Sequence, residues 1–376
     1  MQRFVIALLG ASAVFAAPTT PVKRATVSGS AEGFAAGVTG GGDAAAVTPA
    51  TLDELVSYLG DKEPRVIVLN KEFDFTDSEG TTTGSGCSPW GTGSQCQIAI
   101  NKDDWCTNYQ PDAPTVSSIS YSAAGVAGIP VASDKTIIGE GSKGVIKGKG
   151  LRMANGASNI IIQNIHVTEI NPQYVWGGDA ITIDGGDMIW IDHVKTSLIG
   201  RQHIVLGESS SGKVTISNSE IDGTTSWSAE CNAYHYWAVL FLGSDDSITF
   251  KGNYIHNTSG RGPKVGGKTA LHVVNNYWSD IDPTGHAFEI DAGASILAEG
   301  NTFDGVKTPV SPQEGKLYTG TDCSSALGRA CVENTLTNSG EFSGTDSDVL
   351  SSFSSNAAAA EKNASGVPTS AGFGKI

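Results

Sequence analysis

Positive charge is scarce in this sequence. Its 376 residues include 24 Lys and Arg against 39 Asp and Glu, a formal charge of −15, and charged residues of all kinds make up 17%. A chain of that sign gains nothing from counterion release on nucleic acid or from an anionic membrane surface, so neither is expected as a partner, and a dense polyanion is disfavoured as a ligand unless cations intervene. Long apolar runs are missing after the N-terminal residues, so no membrane span is expected. No two cysteines have the CxxC spacing of a zinc site, and a helical period is absent from the centre of the chain. What is abundant is glycine, 47 residues, beside 39% hydrophobic residues. That profile belongs to a turn-rich, well-buried β protein rather than a disordered chain.

The N-terminus reads as a targeting segment. Met1-Gln2-Arg3 precedes an apolar run from Phe4 to Phe15 that ends in the small residues Ala16-Ala17. This is the order of a secretory signal peptide, residues 1–17, and Lys23-Arg24 marks a dibasic trimming site that would start the mature chain at residue 25. Secretion makes the six cysteines candidates for three disulfides. Cys323 and Cys331 are close enough in the chain to close a small loop. Cys87, Cys96 and Cys106 share one Gly/Ser-rich segment, and one of them is expected to tie that segment to the neighbourhood of Cys231. Two N-glycosylation sequons, Asn257-Thr258-Ser259 and Asn363-Ala364-Ser365, suit a secreted chain.

Thr48-Pro49 is expected to start a helix through Leu52, Leu55, Val56 and Leu59 that Gly60 ends. Arg65 to Leu69 reads as a buried strand. Residues 76–121 have no legible order and read as a stapled surface loop with a binding role. From Lys135 on, short apolar runs recur at a spacing of roughly 25 residues, which puts Asn164, Asp192, Asn218, Asn253, Asn276 and Asn301 in register. The physical reading is an all-β, single-stranded right-handed parallel β-helix. Each coil supplies a few short strands, cannot bury its apolar face alone, and stacks on its neighbours. Asparagine at one turn of successive coils bonds its neighbours and tolerates left-handed φ. One domain is expected, residues 25–376, with long loops forming a cleft. A Ser/Ala-rich tail from about residue 338 is expected to lie along the solenoid or cap its end.

The densest motifs fall between Trp176 and Val265: Trp176-Gly-Gly-Asp179, Trp190-Ile-Asp-His193, Gly200-Arg-Gln-His203 and Gly260-Arg-Gly-Pro-Lys-Val265. Together with Asn232-Ala-Tyr-His-Tyr-Trp237 and the cysteine placement, they resemble the fungal pectin lyases of the pectate lyase superfamily over nearly the whole mature chain. The Arg201-Gln202-His203 version is the part specific to that branch. The resemblance implies an extracellular, endo-acting enzyme, a monomer without cofactor or metal, that cleaves methyl-esterified polygalacturonate by β-elimination. It implies Arg261 as the catalytic arginine with Asp179 and Arg201 beside it. It also implies an aromatic cleft of Trp90, Trp105, Tyr109, Trp176, Tyr236 and Trp237, and the pairings Cys87–Cys106, Cys96–Cys231 and Cys323–Cys331.

The chemistry gives the same direction. Removing the C5 proton of a uronate and expelling the oxygen at C4 builds enolate character at the C6 acyl group, which fixed positive charge stabilises. A free carboxylate resists that second negative charge, so an enzyme for the acid form wants Ca²⁺ held by several carboxylates. An ester does not, and arginines suffice. Arg201 and Arg261 beside the single Asp179 fit the ester. Whether Arg261 serves as base or as electrostatic stabiliser stays open, because arginine normally remains protonated. A calcium-dependent pectate lyase and a non-catalytic β-helix that only binds cell-wall polysaccharide are the competing readings. Lys264 is balanced between binding the uronate and pairing with a local acid. Asp192 and His193 are read as holding a turn, and Asp179, Asp184 and Asp187 as a calcium cluster or, the better default, solvated turn acids.

Overall fold

A computed structural model describes residues 26–376; the expected signal peptide and the Lys23-Arg24 site lie outside the described residues. The β-branched runs form strands of two to eight residues. Gly and Asn between them take the left-handed conformation that lets the chain turn within one or two residues. Coil after coil, the strands join three parallel sheets of ten, nine and eight strands. The expected parallel β-helix is what forms.

Register converts the repeat into a core. Ile162, Ile191, Ile216, Phe250 and Val273 pair directly across the ten-stranded sheet, and all five are buried in one continuous hydrophobic cluster. Each therefore packs on its own equivalent one coil away, which is how a solenoid buries surface that a single coil cannot.

The turn leaving this sheet corrects the alignment made from sequence. Asn164, Asn218 and Asn275, with His193, Gly252 and Gly300, occupy one column in which every φ lies between 46° and 67°. The hydrogen-bonded ladder is the next column, where Asn276 Oδ1 accepts from Asn253 N and Nδ2 at 2.8 and 2.9 Å. Asn301 does the same for Asn276 and Asn334 for Asn301. Ser219 starts this column. Asp192 stands one residue before the bend, as the end of its strand. The expected single column is thus three. Two adjacent positions of the turn both suit Asn, one for its tolerance of positive φ and one for its bonding, and residue type alone does not separate them. Where Gly takes the bend, as at Gly252 and Gly300, the following Asn belongs to the ladder.

The helix forms over Leu52–Gly60, and Thr51, not Thr48, caps it. Its hydroxyl accepts from Glu54 N at 3.1 Å, while Glu54 Oε2 accepts from Ala50 N, one residue before the cap, at 2.6 Å. Leu55 and Leu59 enter the main core. Order also appears within 76–121, where Thr81–Cys87 and Thr115–Ser122 pair antiparallel and Ile98–Ile100 joins them. Tyr174–Val175 of the solenoid completes this four-stranded sheet. The tail lies along the solenoid: Val349, Leu350 and Phe353 bury against Phe34 and Leu297. Further on, Gly372 N and Gly374 N donate to Asn218 O and Asn164 Oδ1.

Asp246, at the start of strand Asp246–Lys251, is an acid with no role in the sequence reading. It is fully buried; Oδ1 accepts from Ser211 N at 2.7 Å, and Oδ2 has no partner. Burial pushes its carboxyl up to about 6. A raised carboxyl pKa means that the folded chain holds the proton longer than the unfolded one. The stabilisation is complete below pH about 4 and is lost as pH rises through about 6. Asp246→Asn should remove that loss, raising stability at pH 7 by about 3 kcal/mol and flattening Tm between pH 4 and 7. An unchanged slope in the variant would show that the titrating group lies elsewhere.

Candidate functional site

Four segments that precede strands of the eight-stranded sheet converge at its N-terminal edge. Trp176–Asp179 leads to Ile181–Asp184, Gly200–His203 to Ile204–Leu206, and Tyr234–Trp237 to Val239–Phe241. Arg261–Pro263 leads to Lys264–Val265. Since Ile181, Ile204 and Val239 pair in register and Leu240 pairs with Lys264, residues far apart in sequence stand on successive coils, roughly 4.8 Å apart.

Side chains lock the edge together. Asp179 Oδ1 accepts from Gln202 N at 2.8 Å, and Oδ2 lies 3.5 Å from Arg201 Nη1. His235 Nε2 hydrogen-bonds Arg201 O at 2.7 Å. The rings of His203 and His235 meet edge-on at 4.8 Å, buried beneath the arginines. Burial holds His203 well below the usual imidazole range and His235 down at about 4, so this floor is neutral and adds no charge near the arginines.

The two arginines differ in their company. Arg201 has Asp179 and lies with Cζ 4.2 Å from the centre of the Trp176 ring. Burial lowers its pKa, Asp179 opposes that, and Arg261 adds to the lowering. Arg261 has aromatic faces instead, Cζ lying 4.7 Å from the Trp237 ring and 5.5 Å from the Tyr236 ring. Among the described residues no carboxylate is within ion-pair distance of it. Its φ of +48° is uncommon for arginine and marks a backbone held under strain by its surroundings. Its Nε is buried without a hydrogen-bond partner.

The six expected aromatics form one chain. Tyr109 stacks on Trp105 at 6.3 Å, Trp105 meets Trp176 at 5.9 Å and Trp90 at 6.3 Å, Trp90 meets Trp237 at 5.6 Å, and Trp237 meets Tyr236 at 4.9 Å. Trp90, Trp105 and Tyr109 come from the inserted segment, pinned by Cys87–Cys106 and by Cys96–Cys231, which spans 135 residues. The third bridge, Cys323–Cys331, closes a loop in the C-terminal part of the chain; all three pairings are those the resemblance implied. Tyr109 is 69% exposed at the lip, open for stacking on a sugar ring.

Gln97, which sequence reasoning missed, is the joint between insertion and arginine. Its buried amide donates to Pro172 O and Gly200 O at 3.0 and 2.9 Å and accepts from Trp237 Nε1 at 3.1 Å. Its place beside Cys96 was the available signal.

Lys264 is drawn to acids, not left free for a uronate. Its Nζ lies 3.1 Å from Glu289 and 3.0 Å from Asp291. Asp184 is likewise engaged, 3.0 Å from Arg152, while Asp187 Oδ1 accepts from Lys213 N. Asp192 holds a turn as expected, bonding Gln163, His193, Ser217 and Asn218. Glu220, Asp222 and His256 have metal-ligand proximity, but they sit on the nine-stranded sheet, and Lys195 lies 2.8 Å from both acids. Of the sequons, Asn363 is exposed. Asn257 bonds His256 at 2.7 Å, and its Thr258 is fully buried.

Comparison with known proteins gives a consistent result. A family profile described as "Pectate lyase" matches residues 119–376. The chain is 60% identical over 366 residues to a "Probable pectin lyase A" of Aspergillus oryzae, covering 94% of this chain and 96% of that one. It is 56% identical over 383 residues to a "Pectin lyase B" of Emericella nidulans, covering 99% and 98%. Among solved structures, a pectate lyase described for its substrate specificity and anti β-elimination mechanism superposes with a TM-score of 0.60 at 20% identity, over 93% of this chain and 98% of that one. At that identity the likeness concerns the fold.

Proposed function

The chain belongs to the pectate lyase family, among its pectin lyases, and from that premise we propose that it is a secreted, monomeric enzyme cutting methyl-esterified polygalacturonate internally by β-elimination. One observation carries the reading: Arg201 and Arg261 stand on the same edge two coils apart, with the Tyr236–Trp237 coil between them, walled by aromatic rings, and among the described residues the only acid paired with either is Asp179. A uronate ester with its C6 acyl oxygen reached by both guanidinium groups would have two fixed cations where the enolate forms. On this reading Arg261 is the residue nearest the reaction; that no carboxylate among the described residues competes for its donors supports it. Asp179 orients Arg201 and the Gln202 backbone. The aromatic chain supplies stacking faces for neighbouring sugars, Tyr109 at the outer lip.

Substrate preference follows from how charges are paired. With Lys264 held by Glu289 and Asp291, this lysine is engaged rather than free to meet a carboxylate, which supports the neutral ester as substrate. The test is growth in absorbance from unsaturated uronide products on highly esterified pectin and on polygalacturonate. Fast product formation on the first and little on the second is expected. Activity only on polygalacturonate would establish the pectate lyase reading, and binding without product would establish a polysaccharide-binding β-helix.

A further inference from the structure

Glu289 is a buried acid next to the proposed reaction centre for which the elimination has no direct use. It lies in the middle of strand Phe288–Ile290, paired in register with Lys264 one coil earlier. Phe288 and Ile290 on either side point into the core, so Glu289 points outward, toward the cleft, yet it is only 7% exposed. Three groups cover it. Oε1 accepts from the Tyr236 hydroxyl and lies at hydrogen-bond distance from His286 Nε2, each at 2.9 Å, and Oε2 lies 3.1 Å from Lys264 Nζ. Burial would raise its pKa, but the contacts with His286, Lys264 and Tyr236 prevail and hold it at about 2, so it is an anion across the whole working range.

Tyr236 is the useful member of this set. Its hydroxyl is fixed by Glu289, and its ring is wedged against the backbone leading into Arg261: a Cβ on Gly260 would lie 2.4 Å from the Tyr236 ring. The same ring stands edge-on to Trp237 at 4.9 Å and forms one of the two aromatic walls of the Arg261 guanidinium. An arginine has many rotamers to lose, and here none is selected by a carboxylate. A directly paired acid would hold the guanidinium, but it would also neutralise the charge that the enolate requires. A carboxylate set one residue back, behind a tyrosine, holds the arginine and leaves its charge available.

We propose that Glu289 is a positioning residue for Arg261, acting through the hydroxyl of Tyr236. The inference rests on the reading of Arg261 as the catalytic arginine and is separable from it by experiment. Tyr236→Phe deletes the link from one side and Glu289→Ala from the other. Each should lower kcat on highly esterified pectin by roughly tenfold or more, with KM within about twofold, because the misplacement acts on the transition state more than on polymer binding. Glu289→Gln keeps an acceptor for the tyrosine and should lose less than Glu289→Ala. In the Tyr236→Phe background, replacing Glu289 should cost nothing further in kcat, since the link is already cut. If Glu289→Ala does not fold, Glu289→Gln takes its place in the same cycle. Losses that multiply in the double variant, a change confined to KM, or full kcat in Tyr236→Phe would each overturn the proposal. Wild-type turnover in Arg261→Ala would instead remove the reading of the site on which it rests.

Discussion

Arg261→Ala should lose about 10³-fold or more in kcat on esterified pectin while its melting temperature and affinity for the polymer stay close to those of the parent. Removing one preorganised donor from a developing oxyanion costs about 10²–10³-fold, and on the proposed reading Arg261 both stabilises charge and lies nearest the abstracted proton. Stability should barely move, because among the described residues the guanidinium makes no ion pair and it lies against the Tyr236 and Trp237 rings; the strained φ of +48° is carried by the backbone and would be tolerated at least as well by the smaller side chain. Arg261→Lys separates the two roles. A point charge on a flexible stem cannot reproduce the planar fork against Trp237 and Tyr236. If charge alone matters, Lys restores most of the turnover; if the guanidinium itself receives the proton, it restores little. An Ala variant that keeps substantial activity would place the catalytic arginine elsewhere.

The solenoid was legible because one coil must repeat the pattern of the next, so strands such as Trp190-Ile191-Asp192 and Thr215-Ile216-Ser217 recur with turn residues between them. Its register was legible only to within a residue, since Asn serves both the bend at Asn275 and the ladder at Asn276. The inserted segment was the least legible. Thr81–Cys87 is built of Thr, Gly and Ser with almost no apolar pattern, and its order comes from pairing with Thr115–Ser122 and from bridges that reach distant parts of the chain. At the site, residues within dense local motifs could be found from their neighbours in sequence. Glu289 could not, and Gln97 only through its place beside Cys96. Each is a single polar residue between apolar ones, and its function comes from partners brought to it by other coils, Trp237 in one case and Tyr236 in the other.

That same pairing of charges governs what cation the cleft will accept, and it makes Arg201 the second residue whose loss should be severe. Ca²⁺ needs six to eight oxygen ligands, several of them carboxylate. Acids in and around this sheet are engaged: Asp179 at the edge with Arg201, and along the strands and beyond them Asp184 with Arg152, and Glu289 and Asp291 with Lys264. A guanidinium 3.5 Å from Asp179 would oppose a divalent ion bound to that carboxylate by on the order of several kcal/mol at moderate dielectric. On the proposed reading Arg201 takes the electrostatic role that a metal would fill for an acidic substrate; burial and Arg261 lower its pKa while Asp179 opposes that. EDTA should leave cleavage of highly esterified pectin unchanged. Arg201→Ala should lower kcat by about 10²–10³-fold and leave Asp179 as a lone carboxylate facing the substrate, too few oxygens for Ca²⁺ to rescue the rate. Steady-state rates of parent and variant with chelator and with added Ca²⁺ decide it. Activity that EDTA abolishes and Ca²⁺ restores on de-esterified substrate would mean that the arginines assist a metal rather than replace one.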